Sequence, residues 1–281
     1  MARIPQIFAG YSQLIALQQI SLTIALKLLN ESQPLAHPLR TIVMPESVDI
    51  QELALVVSAK NNNPTVLNPD MLRYSGIIPT EWELARQPVY TNEVVQLVFK
   101  NGVSLLSQTD RIAFIETFSE KPLDQAATPM SATKYLETLA HADYQALGIN
   151  LRGYVPFKDA ESAADYLSTQ LLAAGPWQSF GDAQMQAALN LVYTIESGRL
   201  QLSVSEATLQ LPEKEPSPIV LFSANFAYSV AETPEAERPA QLISQINTWE
   251  SAVAMYRDLI DNHFLGDAGK TATPQLAGVG A

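Results

Sequence analysis

Residues 94–106 read VVQLVFKNGVSLL, two alternating apolar segments separated by Asn101-Gly102. Alternation with a period of two is typical of strands that bury one face, and Asn-Gly is a strong signal for a tight hairpin turn. The pattern returns at residues 189–204, where Gly198 stands at the turn. The sequence therefore predicts two β-hairpins of similar design in one chain.

A longer layout surrounds each hairpin: a strand, a helix, three antiparallel strands and a second helix. Trp82 and Trp177 precede the two hairpins at nearly the same spacing, so the layout looks duplicated. We therefore predict an α+β fold of two pseudo-repeated units, in which a sheet packs on helices. The predicted segments are an N-terminal strand with a Pro-rich connection that packs on the first unit (residues 1–50), the first unit (51–148), the second unit (149–266) and a disordered tail (267–281).

Three helices have clear boundary signals. Asn68 is a capping residue followed by Pro at the first helical position, so a short helix is expected over residues 69–74. A second helix is expected from Thr128 to Gly148, with the glycine as its C-terminal cap. Apolar residues step by three and four along residues 239–265, and we predict one continuous amphipathic helix there.

The composition excludes several classes of partner. The chain has 29 acidic and 17 basic residues, a net charge of −12, and no run of three basic residues. Because such a chain repels phosphate groups, we expect neither nucleic acid nor a membrane as a partner. The chain has no Cys, which excludes disulfides and zinc–thiolate sites. It has no apolar run of about 18 residues and no secretion-type apolar segment after Met1, so we expect a cytoplasmic protein.

Catalytic and metal-binding patterns are scarce. The three histidines have no metal-ligand spacing, and His141 is expected to lie in solvent on the helix that begins at Thr128. Glu161 and Asp165 share one helix face, which suits a divalent cation, but acidic residues also favour the first turns of helices. We therefore predict no catalytic residue, no metal site and no cofactor.

Five aromatic side chains could line a pocket between the sheet and the helix predicted at residues 239–265. These candidate ligand-binding residues are Tyr193, Phe226, Tyr228, Trp249 and Tyr256. Aromatic residues at such spacing also form ordinary hydrophobic cores, so both interpretations stay open. Arg152, between apolar residues of a predicted strand, is expected to face solvent.

Three functions from different classes are compatible with these observations. The first is a non-enzymatic protein that binds a protein partner, or assembles with itself, through sheet edges or a helix face, because long alternating strands leave such edges. The second is a carrier of a small molecule or peptide in the aromatic pocket. The third is an enzyme that uses the carboxylates Glu161 and Asp165 with His141. We expect the first.

Overall fold

A computed structural model describes residues 47–119, 121–196, 198–210 and 215–266. The strand and Pro-rich connection predicted before residue 47, and the tail predicted at residues 267–281, lie outside the described residues. The described parts of residues 47–209 and 217–266 belong to one compact unit. Gln210, Glu215 and Pro216 belong to a second unit, whose other residues are outside the described part.

The described residues form one antiparallel sheet with the strand order β2-β3-β4-β5-β1-β6-β9-β8-β7. Its strands are β1 (Asp49–Lys60), β2 (Val89–Tyr90), β3 (Val94–Val98), β4 (Val103–Gln108), β5 (Arg111–Thr117), β6 (Asp143–Pro156), β7 (Ala188–Ile195), β8 (Gly198–Leu209) and β9 (Ser217–Ser229). β1 and β6 are neighbours at the centre. β1 is flanked on its other side by β5, and β6 by β9.

Five α-helices accompany this sheet within the described residues, so the α+β class is confirmed. They are α1 (Pro69–Tyr74), α2 (Thr128–Thr138), α3 (Ala160–Asp165), α4 (Arg238–Ile246) and α5 (Trp249–Arg257). α3 and α5 continue as π-helices, Tyr166–Leu171 and Asp258–Phe264 respectively. Short 3-10 helices are found at Pro64–Val66, Leu123–Gln125, Pro176–Ser179 and Glu235–Glu237.

The hydrophobic core lies between helices and one face of the sheet, which we call the helix-covered face. The strand register aligns apolar residues across the central strands on this face, and these side chains are fully buried: Leu55, Phe114, Ile149 and Phe226. The Tyr135 ring of α2 packs edge-on against the Phe114 ring, with the ring centroids 5.5 Å apart. Near the other end, the Phe264 ring meets the Phe222 ring with centroids 5.7 Å apart. Apolar burial of this kind supplies most of the driving force for folding.

The strongest local signals are confirmed. The side chain of Asn68 accepts a hydrogen bond from the backbone N–H of Met71 at 2.8 Å, which caps α1. β3 and β4 form the hairpin around Gly102, whose φ of 83° lies in the left-handed region that glycine adopts without strain. α2 begins at Thr128 as expected, but its cap comes from the distant Glu116 carboxylate.

The helix predicted from Thr128 to Gly148 is too long. It ends at Thr138, and β6 begins at Asp143 and runs through Gly148, so the unit boundary drawn after residue 148 falls inside this strand. A register shift against β1 occurs next to Gln145, since Ala146 and then Tyr144 pair with consecutive β1 residues. This β-bulge puts residues three apart in sequence on the same face, a spacing that imitates a helix.

The predicted continuous helix over residues 239–265 is also wrong, because α4 and α5 are separated at Asn247 and Thr248. The Thr248 hydroxyl donates to the Gln245 carbonyl at 2.8 Å, a local bond of the kind that competes with helical hydrogen bonding. Trp249, the first residue of α5, is only half-buried, whereas Tyr256 later in the same helix is fully buried.

Candidate functional site

β7 forms one edge of the described sheet. Within the described part of the chain it pairs with β8 alone, from Ala188 opposite Ser205 to Ile195 opposite Gly198. An edge strand leaves every second residue with its backbone N–H and C=O directed away from the sheet. The chemistry available at this edge depends on which residues those are.

Two observations identify the outward-directed residues. Ile195 and Gly198 flank a two-residue hairpin loop, and the closing pair of such a loop is hydrogen-bonded. Ala187 lies an even number of residues before Ile195, and its backbone N–H donates to the carboxylate of Glu206 on β8, which partly offsets the rise in the pKa of Glu206 caused by burial. Odd-numbered residues from 187 to 195 therefore face β8. The even-numbered ones direct their N–H and C=O groups outward; these are Ala188, Asn190, Val192 and Thr194.

The side chains of β7 divide into two sets. The four residues with outward backbone groups are exposed, including Val192 at 56%. The alternate apolar residues lie half-buried on the helix-covered face, and all but Ile195 pair with fully buried residues of β8; they are Leu189, Leu191, Tyr193 and Ile195. No charged residue occurs between Ala183 and Ile195. The edge is thus eight residues long, neutral and partly apolar.

The opposite edge of the sheet is constructed differently. β2 has only two residues, Val89 and Tyr90, and Pro88 precedes it. Short edge strands and proline are common means by which proteins prevent unwanted strand pairing. β7 has neither feature, so the described sheet has one protected edge and one edge that can accept a strand.

Two further exposed aromatic residues lie in the segment that leads into β7. Trp177 is 55% exposed and Phe180 is 89% exposed. The Trp177 ring lies directly on Gly175, where a Cβ atom would overlap the ring. Aromatic side chains of this type are enriched in protein interfaces.

The predicted ligand-binding residues are distributed through the core. Phe226 and Tyr256 are fully buried, and the Tyr256 hydroxyl donates to the Phe222 carbonyl at 2.9 Å. Tyr193 lies in the same row as Phe226, with Leu200 between them. Tyr228 is almost fully buried on β9, and Trp249 is half-buried at the start of α5. The structure thus brings Tyr193 and Phe226 into one layer of the sheet.

The candidate enzymatic residues lie on two parts of the chain: Glu161 and Asp165 are both in α3, and His141 is not. His141 is exposed as expected, but it lies in the turn after α2 and not on a helix. Glu161 is in the first turn of α3, where the Asp159 side chain caps the helix through the N–H of Ser162 at 2.8 Å. Among the described residues, no group of three His, Asp or Glu side chains could hold a metal ion.

The face of the sheet opposite the helices has a row of polar side chains at its centre. Asn225 donates to Asn150 at 2.6 Å, and beside them Arg152 lies 3.8 Å from the carboxylate of Glu52. The expectation that Arg152 faces solvent is wrong, since only 22% of its side chain is exposed. Burial raises the pKa of Glu52, although the nearby guanidinium opposes the change. These contacts link β1, β6 and β9.

No protein-family model and no curated protein matches the chain. None of the described helices is long and apolar enough to span a membrane. The described residues form an α+β structure with a large antiparallel sheet, and within this part of the chain the neutral strand β7 is paired on one side only.

Proposed function

We propose that this protein binds a protein partner by β-strand addition at the free edge of β7, without catalysing a reaction. The observation that carries the proposal is the uncharged eight-residue strand whose four outward residues have unpaired backbone groups within the described structure. In strand addition, main-chain hydrogen bonds supply affinity and the alternating side chains supply specificity. We assign the protein to the cytoplasm on the basis of its cysteine-free composition.

We also infer that the two halves of the sheet are related by duplication. The support is that both halves have the same strand order. In the first half β1 lies beside β5, the last of the strands β3, β4 and β5; in the second half β6 lies beside β9, the last of the strands β7, β8 and β9. In this alignment β3 corresponds to β7. The outer side of β3 is covered by β2, whereas the outer side of β7 is free in the described sheet, which assigns the specialised surface to the second half.

The alternative hypothesis, a carrier with a pocket below α4 and α5, has less support. Phe226 and Tyr256 have no exposed surface, and the Tyr256 hydroxyl already has a protein acceptor. A ligand would have to displace these contacts and remove the hydrogen bond from Tyr256 to the Phe222 carbonyl, which costs free energy. Strand addition requires no such rearrangement.

Site-specific photo-crosslinking tests the proposed edge. A photoreactive phenylalanine analogue is placed at Val192 and, as a matched control, at Met130 on α2, which is also 56% exposed. Both proteins are irradiated in extract of the cells from which the chain comes. We expect a discrete protein adduct from position 192 and none from position 130, because only position 192 lies on the strand edge.

The second part of the experiment introduces Asn190→Pro into the protein that has the photoreactive residue at position 192. The N–H of Asn190 is directed away from β8, so proline removes an outward donor without removing a bond of the hairpin. We expect the adduct to disappear while the circular dichroism spectrum stays unchanged. Equal adducts at positions 192 and 130, or an adduct that persists in the folded Asn190→Pro protein, would reject strand addition at β7.

A further inference from the structure

We propose that the strand added to β7 is β7 of a second copy of this chain, antiparallel and related by a two-fold axis through Leu191. This inference rests on the proposed function, since it specifies the occupant of the same edge. The result is a homodimer in which the described nine-stranded sheets of the two copies form one continuous sheet.

The positions of the outward backbone groups define the register. Two copies of β7 can form a hydrogen-bonded ladder only if outward residues face outward residues, and full overlap pairs Ala188 with Thr194 and Asn190 with Val192 across the axis. All four outward residues of each strand are then used, and about eight backbone hydrogen bonds form. If the axis passed through Asn190 or Val192 instead, one outward residue of each β7 strand would have no residue of the other β7 strand opposite it.

The side chains suit this register on the helix-covered face. Leu191 meets Leu191 of the second copy on the two-fold axis, and Leu189 meets Tyr193 on either side of it. These are non-hydrogen-bonded pairs, in which the side chains approach most closely. All three residues are half-buried in the single chain, beside fully buried Leu200 and Leu202 of β8, so the second copy would extend an apolar layer that now ends at the edge.

Charge favours self-pairing at this strand over other surfaces. Each copy has a net charge of −12, so two copies repel at most contacts between their surfaces. The strand itself contains no ionisable side chain except the Tyr193 hydroxyl, whose pKa burial raises. No like charges meet across the proposed axis, and no oppositely charged partner is required to neutralise the edge.

Disulfide trapping tests both the occupant and the register, because the natural chain has no Cys. In the Leu191→Cys variant the two cysteines face each other in a non-hydrogen-bonded pair, about 4.5 Å apart at Cα, a separation that a disulfide spans. In the matched Tyr193→Cys variant, the two cysteines are offset by four residues, about 13 Å, and cannot bond. Both residues are half-buried on the same strand face.

The expected results are a covalent dimer from Leu191→Cys, at least tenfold less dimer from Tyr193→Cys, and a concentration-dependent dimer of the unmodified chain by light scattering. Equal trapping of both variants would overturn the register. A monomer at every concentration, with no trapping of either folded variant, would overturn self-pairing. If the photo-crosslinked edge still captures a different protein in an Asn190-dependent way, the proposed function survives that failure; if it captures nothing, both are rejected.

Discussion

At the residue scale, the start of α2 depends on one carboxylate. Glu116 is fully buried and accepts hydrogen bonds from the backbone N–H groups of Ala127 and Thr128, each at 2.8 Å, and from the Thr128 hydroxyl at 2.9 Å. Lys121 lies 2.5 Å from its other oxygen. A negative charge at a helix N-terminus also interacts favourably with the helix dipole.

Replacing this carboxylate with its neutral isostere tests its contribution. We expect Glu116→Gln to lower the free energy of unfolding by about 3 kcal/mol, because the amide has only one acceptor oxygen, so its NH₂ group must face either the N–H donors or the Lys121 ammonium, and the ion pair is lost. The control is Glu137→Gln, which removes an exposed ion pair with Lys134 and should cost about 0.5 kcal/mol. Urea denaturation of both variants measures the difference, and equal effects would contradict the buried-cap interpretation.

A second residue-scale prediction concerns pH. Burial raises the pKa of Glu52 above its usual 4.5, so the folded protein binds a proton more tightly than the unfolded chain does. Stability is therefore favoured by this group below pH 4.5 and falls as the pH rises through the folded-state pKa. We expect Glu52→Gln to remove that fall, so that the variant gains stability over the natural protein with increasing pH. Urea unfolding measured from pH 4 to 8 would contradict this if the difference stayed constant.

At the element scale, α4 is attached to the start of β6 by Arg238. Its guanidinium donates to the Asp143 carboxylate at 2.7 Å, to the Tyr144 carbonyl at 3.2 Å and to the Thr233 carbonyl at 3.0 Å. One side chain thus joins the helix, the preceding loop and the central strand. Planar guanidinium groups are well suited to such multiple contacts.

Removing this attachment should destabilise the protein. We expect Arg238→Ala to lower the free energy of unfolding by about 2 kcal/mol, because the Asp143 carboxylate loses a charged donor and the Tyr144 and Thr233 carbonyls each lose a hydrogen bond. Arg257→Ala, at an exposed position at the end of α5, is the matched control and should change it by less than about 0.5 kcal/mol. Thermal denaturation followed by circular dichroism compares the two, and similar melting temperatures would count against the attachment.

Features set by neighbouring residues could be predicted from the sequence. The Asn68 cap and the Gly102 hairpin each depend on contacts within a few positions, and both are confirmed. The helical spacing at the start of β6 is misleading, because the bulge at Gln145 that produces it exists only in the pairing with β1. The alternation of apolar residues in β7 predicts a strand, but its position at the edge depends on the order of all nine strands of the described sheet.

At the scale of the whole molecule, the charge of −12 predicts how self-pairing responds to salt. Because the paired strands contain no ion pair and the remaining surfaces repel, added salt screens repulsion and should strengthen the dimer. We expect the dissociation constant to fall between about 0.05 M and 0.5 M NaCl, where screening becomes nearly complete. Analytical ultracentrifugation measures this, with the Val192→Glu variant as a control expected to stay monomeric. Weakening by salt would indicate an ion-pair interface elsewhere.

The central position of β1 and β6 has a consequence for the order of folding. Their register joins Glu52 to Arg152, so this pair closes a loop that contains most of one half of the sheet. The β3–β4 and β7–β8 hairpins, by contrast, join residues that are close in the chain. Local pairings form quickly, and distant ones must first overcome the entropy of closing a long loop. We therefore expect the outer hairpins to form before β1 pairs with β6 when the unfolded protein refolds, so that the edge of β7 is presented to a partner strand before the core is complete.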